Sequence, residues 1–417
     1  MRRFGLTASI VAAATLAVAC SPSADPASTT APSTVALPTR SDDGTLVLGL
    51  LLPASGPGAE IGMSMREGAQ LAIDEINRAG GVNGRTILTE EADEGDTPVI
   101  AARSVAELLD HDVDAIIGPA SSVIAATTLP VTGDAGVLTC SPSASALQLQ
   151  DFPDDALFAR TIPSDALQAE AMANLMEGTG YRRASIVYLD DSYGRAFADA
   201  VIGELEVQNI EVVQSIAFDP SDDDYTNEAA RAATASVVAI VGDNEAGTRM
   251  VDALFAVGDD QLEIVVNDAM RVPSSPRTYR ALSDNDRTHL RGVSPQSHIG
   301  NPSFAAVFTA EHPDSRGLFA VNAYDCVNAI ALAANAAGST DAARFVGELI
   351  AVTNDGTQCT TFGACDLLRS NDRDINYDGP SGDLDFDADR QPRAAQFDVF
   401  GYDSAGDDQT IGSVPGG

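Results

Sequence analysis

Residues 115–145 read AIIGPASSVIAATTLPVTGDAGVLTCSPSAS and contain two short apolar strands, each followed by a loop of small residues. The first loop is Gly118 to Ser122, where a Gly-Pro break precedes two hydroxyls and a helical pattern; the second is Ser141 to Ser145. In doubly wound sheets such loops bind ligands, because strand ends and helix N-termini open onto one crevice. The stretch therefore predicts an α/β fold with a site that suits an anion such as a carboxylate.

Strands and helices alternate on both sides of this stretch, which is typical of α/β domains. Upstream, strands at 45–53 and 86–91 alternate with helices at 63–79 and 98–109. Downstream the alternation restarts in this order: helix 166–179, strand 184–189, helix 193–208, strand 211–217, helix 222–233, strand 237–241, helix 247–257 and strand 263–266. From residue 291 the pattern changes: a strand at 292–294 is followed by helices at 303–312, 319–337 and 340–351, a loop-rich part and a last strand at 394–402. We expect this final part to cross back and complete the first unit, since two lobes of comparable size then result.

The N-terminus resembles a bacterial lipoprotein signal. MRRFGLTASIVAAATLAVAC has a basic start, an apolar run from Leu6 to Val18, and Ala19 before Cys20. Ala17 stands where that motif more often has Leu. We expect lipidation of Cys20, with simple secretion as the alternative. Residues 21–43 are rich in Ser, Pro, Thr and Ala and are predicted to be a disordered tether; no later apolar run is long enough to span a bilayer.

The composition excludes several kinds of function. The formal net charge is -37 and the sequence contains no lysine, so a Walker-A phosphate loop, a Schiff-base enzyme and a lysine general base are excluded. The acidic excess argues against nucleic acid or an anionic membrane surface as a partner. Solubility or genome composition explains the same bias and is the simpler cause of the charge itself.

Five cysteines include Cys20, which leaves an even set of four. In an exported protein this number indicates two disulfides. Cys359 and Cys365 bracket a short loop and form the natural pair, which leaves Cys140 with Cys326. Zinc is the alternative, but the spacing fits no common zinc pattern and no histidine lies beside either half.

A colinear series of motifs resembles the leucine/isoleucine/valine-binding proteins, which are type I periplasmic substrate-binding proteins of ABC importers. The matching segments are Ser55-Gly56-Pro57, the run from Gly68 to Gly84, Ile117-Gly118-Pro119, Ser141 to Ala144, Asp191-x-Tyr193-Gly194, Tyr377 to Gly382, and Phe386-Asp387. Together they cover nearly the whole mature chain in order. The resemblance implies two Rossmann-like lobes joined by a three-crossover hinge that closes on a ligand.

On this resemblance we expect hinge crossovers near 163–164, 292–295 and 390–393. The predicted divisions are as follows: 1–20 lipoprotein signal, 21–43 tether, 44–163 and 295–390 first lobe, 164–294 and 391–405 second lobe, and 406–417 tail.

The resemblance also implies the ligand-binding residues. In amino-acid-binding members the ligand carboxylate meets the first lobe, at positions that match Ser122, Ala144 and Ser145. Tyr193 and Asp268 match contacts from the second lobe, and Asp268 would face the ligand ammonium. For each of these a structural role is the alternative: a helix N-cap for Ser122, packing in the cleft for Tyr193, and a solvated loop carboxylate for Asp268.

The chain departs from the family at several positions. An early disulfide is missing, since Ser121 stands at its second cysteine. The segment Gly242 to Glu245 is acidic where relatives often carry an aromatic residue, so the side-chain subsite is expected to be polar, with Asp243 a weaker ligand candidate. Arg271 has two possible roles: it pairs with Asp268, or it meets an acidic group of the ligand.

No metal or catalytic site is predicted. Residues 374–385 have the offsets of a calcium-binding loop, but Pro380 and Ser381 and the lack of flanking helices argue against calcium. The four histidines are expected at the surface, and no nucleophile elbow or His-Glu-x-x-His motif occurs. We therefore expect a non-enzymatic binding protein without a cofactor.

The sequence as a whole predicts a monomeric lipoprotein on the outer face of the cytoplasmic membrane. It would capture a small ligand, preferably an amino acid, by closure of its lobes and deliver it to an ABC permease. The alternatives are a ligand sensor of the same fold, or a binder of amides, urea or aromatic acids.

Overall fold

The computed structural model describes residues 37–40, 42–150, 152, 157–271, 279, 282–296 and 302–417. The predicted signal, the lipidation position Cys20 and most of the predicted tether lie outside the described residues.

The first lobe is built on a five-stranded parallel sheet in the order β2-β1-β3-β4-β5. Its strands are β1 Val47–Leu52, β2 Leu88–Asp93, β3 Ala115–Ile117, β4 Leu138–Ser141 and β5 Phe158–Arg160. The helices between them are α1 Ala59–Ala79, α2 Pro98–Asp110 and α3 Ser122–Asp134.

The second lobe has a seven-stranded sheet in the order β14-β13-β10-β9-β8-β6-β7, in which β13 and β14 run antiparallel to their neighbours. Its strands are β6 Arg183–Leu189, β7 Glu211–Phe218, β8 Val237–Val241, β9 Glu263–Val266, β10 Leu290–Pro295, β13 Ala395–Tyr402 and β14 Asp408–Gly416. Its helices are α4 Asp165–Glu177, α5 Ser192–Val207, α6 Thr226–Ala232, α7 Ala246–Val257 and α8 Asp284–His289.

The chain returns to the first lobe between β10 and β13. This part contains α9 Pro302–Glu311, α10 Ala320–Ala337, α11 Ala342–Phe345, α12 Glu348–Thr353, β11 Thr357–Cys359, α13 Phe362–Arg369 and β12 Ile375–Tyr377. Its apolar side chains join those of β1 and α1 in one core. The predicted α/β fold with two lobes is therefore confirmed.

Alternation along the strands explains how helices cover both faces of each sheet. Leu48 and Leu50 of β1 pack into the core shared with α1 and α10, whereas Leu51 packs on the other face with α2. Such a strand, buried on both sides, is characteristic of parallel sheets. A Cβ atom added at Gly68 in α1 would lie 2.1 Å from the carbonyl oxygen of Ala320 in α10, which is too close. The two helices therefore approach each other as closely as they do only because position 68 lacks a side chain.

Strand β10 contains the strand predicted at 292–294, and the crossover expected near 292–295 stays a prediction. Two other predicted boundaries differ from the structure. Residues 408–416, expected to lie in a tail, form β14 at the edge of the second sheet. The end of the predicted tether also contacts the first lobe: Asp42 accepts hydrogen bonds from Ser339 and from the Thr340 N–H and pairs with Arg344.

Both predicted disulfides are present. Cys359 and Cys365 are bonded across six residues, and Cys140 at the end of β4 is bonded to Cys326 in α10. The bond between Cys140 and Cys326 joins β4, which leads into the loop Ser141 to Ser145, to the part of the chain that returns to the first lobe. Among the described residues, no helix is long and apolar enough to cross a bilayer.

Candidate functional site

The first loop ends where α3 begins. Ser121, not Ser122, is the N-cap, since its hydroxyl accepts a hydrogen bond from the N–H of Ile124 at 3.5 Å. The carboxylate of Glu94, which follows β2, accepts hydrogen bonds from the N–H groups of Ala120 at 2.6 Å and Ser121 at 2.8 Å. Burial raises the pKa of Glu94 to about 7. Two of the N–H groups expected for an anionic ligand are therefore already occupied by a side chain of the protein.

Ser122 lies in the first turn of α3 and connects the two loops. Its hydroxyl oxygen accepts a hydrogen bond from the N–H of Ala146 at 3.3 Å. Its own backbone N–H has no acceptor in the part of the chain that the structure describes. Because the first N–H groups of a helix have no partner within the helix, Ser122 offers a donor to an anion at this position.

The second loop is held from behind by Arg160, the last residue of β5. The Arg160 guanidinium is fully buried; its Nη1 donates to the carbonyl oxygens of Ala144, Ser145 and Ala146, and its Nε donates to Gln391 Oε1 at 2.9 Å. Burial lowers the pKa of Arg160 to about 10, so the side chain remains a cation at neutral pH. This cation fixes the loop and, by its charge, favours acidic groups near it.

The two ligand candidates in this loop, Ala144 and Ser145, differ in whether their backbone N–H groups are free to bind a ligand. Both backbone polar groups of Ala144 have partners: its N–H donates to the Ser141 hydroxyl at 2.9 Å and its carbonyl accepts from Arg160. Ser145 is partly exposed, and its N–H has no acceptor among the described residues. Of the two, Ser145 has the donor available for a ligand carboxylate.

Asp165 is the buried carboxylate of the site, with 1% of its surface exposed. It is the first residue of α4, and its backbone N–H donates to the Ser145 carbonyl at 2.9 Å, so the second lobe meets the loop of the first lobe here. Its Oδ1 atom is buried and has no hydrogen-bond partner in the described structure. Burial, and secondly the neighbouring Asp268, raise the pKa of Asp165 to about 7, with Ser145 and Arg160 acting in the opposite direction.

Asp268 follows β9 and lies at the start of a short 3-10 helix. It is partly exposed, and its Oδ1 accepts a hydrogen bond from Gln168 Nε2 at 3.1 Å. Burial raises the pKa of Asp268, and the hydrogen bond from Gln168 lowers it in part. Gln168 and Asp165 are three residues apart and lie on the same face of α4. That face of α4 therefore carries the carboxylate of Asp165 and also Gln168, which donates to the carboxylate of Asp268.

Tyr193 completes this group. It lies in the first turn of α5, whose N-cap Asp191 accepts a hydrogen bond from the N–H of Gly194 at 2.7 Å. Burial, followed by the charges of Asp165 and Asp268, raises the pKa of Tyr193 well above its usual value. Burial is the main cause of this shift, and the charges of both carboxylates add to it. We refer to Asp165, Asp268 and Tyr193 as the aspartate cluster.

The chemistry of the cluster favours a cation. Two carboxylates that share a partly buried place repel each other, and both become ionised when a positive group lies between them. A ligand with an ammonium group satisfies this requirement, and the N–H groups of Ser122 and Ser145 in the first lobe suit a carboxylate. The arrangement is therefore complementary to a zwitterion.

Two other candidates have roles in the second lobe itself. Asp243 Oδ1 accepts hydrogen bonds from the N–H groups of Glu245 and Ala246, at 2.8 and 2.6 Å, and so forms the turn that begins α7. Arg271 pairs with Asp398 at 2.9 Å and with Asp408 at 3.1 Å, so neither role considered for it from the sequence is its main contact.

Asp165 and Gln168 are not among the site residues predicted from the sequence, because helix α4 was expected to begin at residue 166. The signal was present: Pro163-Ser164-Asp165 directly after a strand is a helix start with Ser164 as N-cap.

Among the described residues, no group of three or more His, Cys, Asp or Glu side chains is placed to hold a metal ion. In the segment considered for calcium, Asp378 accepts a hydrogen bond from Gln358 at 2.9 Å. A depression of about 440 Å³ lies on the hinge side, lined by residues such as Pro163, Asp383 and Arg393, and does not include the aspartate cluster.

Comparison with known proteins agrees with this architecture. The model of the periplasmic binding protein family matches residues 45–407. The chemotactic signal transduction system substrate-binding protein BasB of Halobacterium salinarum is 28% identical over 363 residues, which is 83% of this chain and 84% of that protein. The leucine-, isoleucine-, valine-, threonine- and alanine-binding protein of Pseudomonas aeruginosa is 24% identical over 377 residues, covering 85% and 89% of the two chains.

A solved structure shows the same fold. The branched-chain amino acid transporter substrate-binding protein LivJ of Streptococcus pneumoniae, in complex with isoleucine, superposes with a TM-score of 0.68 at 21% identity, covering 89% of this chain and 99% of that one. The class is thus a two-lobed binding protein of type I, and the chain belongs to the periplasmic binding protein family. The family implies an exported protein, and the relatives named here are binding proteins, as predicted, and not enzymes.

Proposed function

We propose that this protein is an exported, lipid-anchored solute-binding protein that holds a small ligand, an amino acid, between its lobes and delivers it to an ABC permease. The observation that carries the proposal is the pair Asp165 and Asp268, raised in pKa by burial, with an unpartnered Oδ1 on Asp165. The ligand ammonium lies between these carboxylates, and its carboxylate accepts from the N–H groups of Ser122 and Ser145.

The position of these groups supports a mechanism of closure. Ser122 and Ser145 belong to the first lobe, whereas Asp165, Tyr193 and Asp268 belong to the second. A zwitterion that contacts both sets gains its full interaction only when the lobes are together, so binding favours the closed arrangement. Arg160 keeps the first-lobe loop in place while this happens.

The proposal is tested by screening purified protein for thermal stabilisation by amino acids, amides and organic acids, followed by calorimetry of each hit. An amino acid is expected to stabilise the wild type. Asp268→Ala is expected to weaken its binding roughly 10- to 150-fold, because a hydrogen bond to a charged group contributes about 1.5–3 kcal/mol. The matched control is Asp199→Ala, an exposed aspartate of α5 in the same lobe, which is expected to bind as the wild type does.

Stabilisation only by ligands that lack an amine would contradict the role given to the two aspartates. Unchanged affinity in Asp268→Ala would contradict it as well.

The lipid anchor is supported by the sequence before Cys20. Mass spectrometry of the mature N-terminal peptide is expected to show a lipid on Cys20, and Cys20→Ser is expected to release the protein from the membrane fraction. A mature chain that begins elsewhere without lipid would refute the anchor.

A sensory role is the second candidate, and the similarity to a relative named as part of a chemotactic signal transduction system favours considering it. Deletion of the gene distinguishes a role in import from a role in sensing. Loss of uptake of the radiolabelled ligand supports the importer, whereas loss of taxis towards the ligand with normal uptake supports the sensor.

A further inference from the structure

Two amide side chains at the end of the second sheet have polar atoms without partners. In this sheet β8 lies between β9 and β6. Asp268 follows β9 and Tyr193 follows β6 by a few residues, so the loop after β8, residues 242–245, lies between two members of the aspartate cluster. Loops at the carboxyl ends of adjacent parallel strands open onto one crevice. Residues of this loop are therefore placed to meet the part of a ligand that extends beyond its ammonium group.

Asn267 is fully buried and is fixed by one half of its amide. Its Oδ1 accepts a hydrogen bond from the N–H of Gly242 at 3.0 Å, which ties β9 to the loop after β8. Its Nδ2 atom has no acceptor at normal hydrogen-bond geometry among the described residues. The side chain does interact with Tyr193, whose pKa it lowers in part. An amide NH₂ has two donor hydrogens, so a second N–H remains for a ligand. A buried donor without a partner destabilises the protein, so an acceptor supplied by a ligand would recover this energy.

Asn244 supplies the opposite kind of atom. Its Oδ1 is buried and has no donor in the described part of the chain, and its main-chain carbonyl, not its side chain, accepts from Thr248 Oγ1 at 2.6 Å. The fold therefore uses the backbone of Asn244 and leaves the side-chain amide unused.

Neighbouring side chains do not satisfy these atoms. Asp243 Oδ1 is engaged in the turn, and Glu245 pairs with Arg249 at 3.1 Å. The apolar side chain closest to Gly242 and Gly247 is Met270, which is fully buried. Asn267 and Asn244 thus offer an uncharged donor and an uncharged acceptor that other described side chains do not fully satisfy.

We propose that Asn244 and Asn267 form the subsite for the ligand side chain, and that this subsite selects an amino acid whose side chain ends in a carboxamide. The carbonyl oxygen of the ligand accepts from Asn267 Nδ2, and its NH₂ group donates to Asn244 Oδ1. This inference rests on the proposed function, because it requires the amino acid to be held by its ammonium and carboxylate groups as described above.

Isothermal titration calorimetry with L-glutamine, L-asparagine, L-leucine and L-alanine tests the subsite. At least one of the two carboxamides is expected to bind about tenfold or more tightly than leucine, because a site built to form hydrogen bonds rejects a ligand that leaves its buried polar groups unpaired. Asn244→Leu is expected to weaken binding of that carboxamide by about tenfold or more while binding of alanine is retained. Asn227→Leu, the same change at an exposed position of α6, is the matched control and is expected to leave both unchanged.

Leucine binding as tightly as glutamine and asparagine would overturn the subsite, as would an Asn244→Leu variant with unchanged affinity for them. Either result, with alanine or leucine still bound through Asp268, leaves the proposed function standing. Absence of binding of any amino acid overturns the proposed function and the subsite together.

Discussion

Replacement of Asp165 by Asn is expected to stabilise the ligand-free protein and to weaken ligand binding. Asp165 is 1% exposed, its Oδ1 has no partner among the described residues, and it lies close to Asp268. The wild-type protein therefore holds a carboxylate in a place that disfavours its charge, a cost that is relieved when a ligand ammonium arrives. Asn has nearly the same shape but no charge, so the variant avoids the cost and loses the interaction.

The pKa of Asp165 sets the size and the pH range of this effect. A pKa raised from 3.8 to about 7 on folding corresponds to a penalty of about 4 kcal/mol at high pH. Below a pH of about 4 the folded and unfolded states both hold the proton, and the variant gains nothing. Between about 4 and about 7 the unfolded chain loses its proton while the folded chain keeps it, so the advantage of Asp165→Asn grows with pH.

Thermal unfolding of protein freed of ligand by denaturation and refolding tests this prediction. At pH 8 we expect a free energy of unfolding about 2–4 kcal/mol higher for Asp165→Asn than for wild type, seen as a Tm several degrees higher. At pH 4.5 most of the difference disappears, and Asp199→Asn shows no such dependence. If Asp165→Asn is less stable than wild type at pH 8, or if its gain in stability does not depend on pH, then the buried charge of Asp165 does not destabilise the ligand-free protein.

Two further predictions concern the first lobe. Replacing both Cys140 and Cys326 by Ala is expected to lower the free energy of unfolding by about 4–5 kcal/mol in chemical denaturation, since the bond closes a separation of 186 residues; an unchanged midpoint would contradict this. Gly68→Ala is expected to cost about 1–3 kcal/mol because its Cβ would meet backbone of α10. Gly203→Ala, with nothing within 4 Å, is expected to gain about 0.5–1 kcal/mol, and equal effects of the two changes would show that packing at position 68 does not matter.

The sequence predicts most of the fold because its information is local and periodic. The apolar run of β1 is buried on both faces, and the helical spacing of α1 buries one face of that helix. Strands and helices of these two kinds continue to alternate along the chain. The cysteine pairs were also predictable, since an even set in an exported chain leaves few arrangements. Strand β14 was missed because its residues, mainly exposed, have no apolar pattern and pair only as an edge strand.

The site was predictable in part. Tyr193 and Asp268 follow strand ends, and the charge of Asp268 adds to the raised pKa of Tyr193. Their roles in ligand binding stay predictions. The occupation of the Ala120 and Ser121 N–H groups by Glu94 was not predictable, because these residues are more than twenty positions apart and meet only through the order of the strands. The engagement of Arg271 with Asp398 and Asp408 is non-local in the same way.

A crystal structure of the protein with its highest-affinity amino acid tests most directly whether the ligand ammonium lies between Asp165 and Asp268 while its carboxylate meets Ser122 and Ser145. We expect the ligand nitrogen at about 2.7–3.2 Å from an oxygen of each aspartate, with the carboxylate at the N–H groups of both serines. A ligand bound with its carboxylate towards the aspartates, or bound outside the inter-lobe cluster, would contradict it.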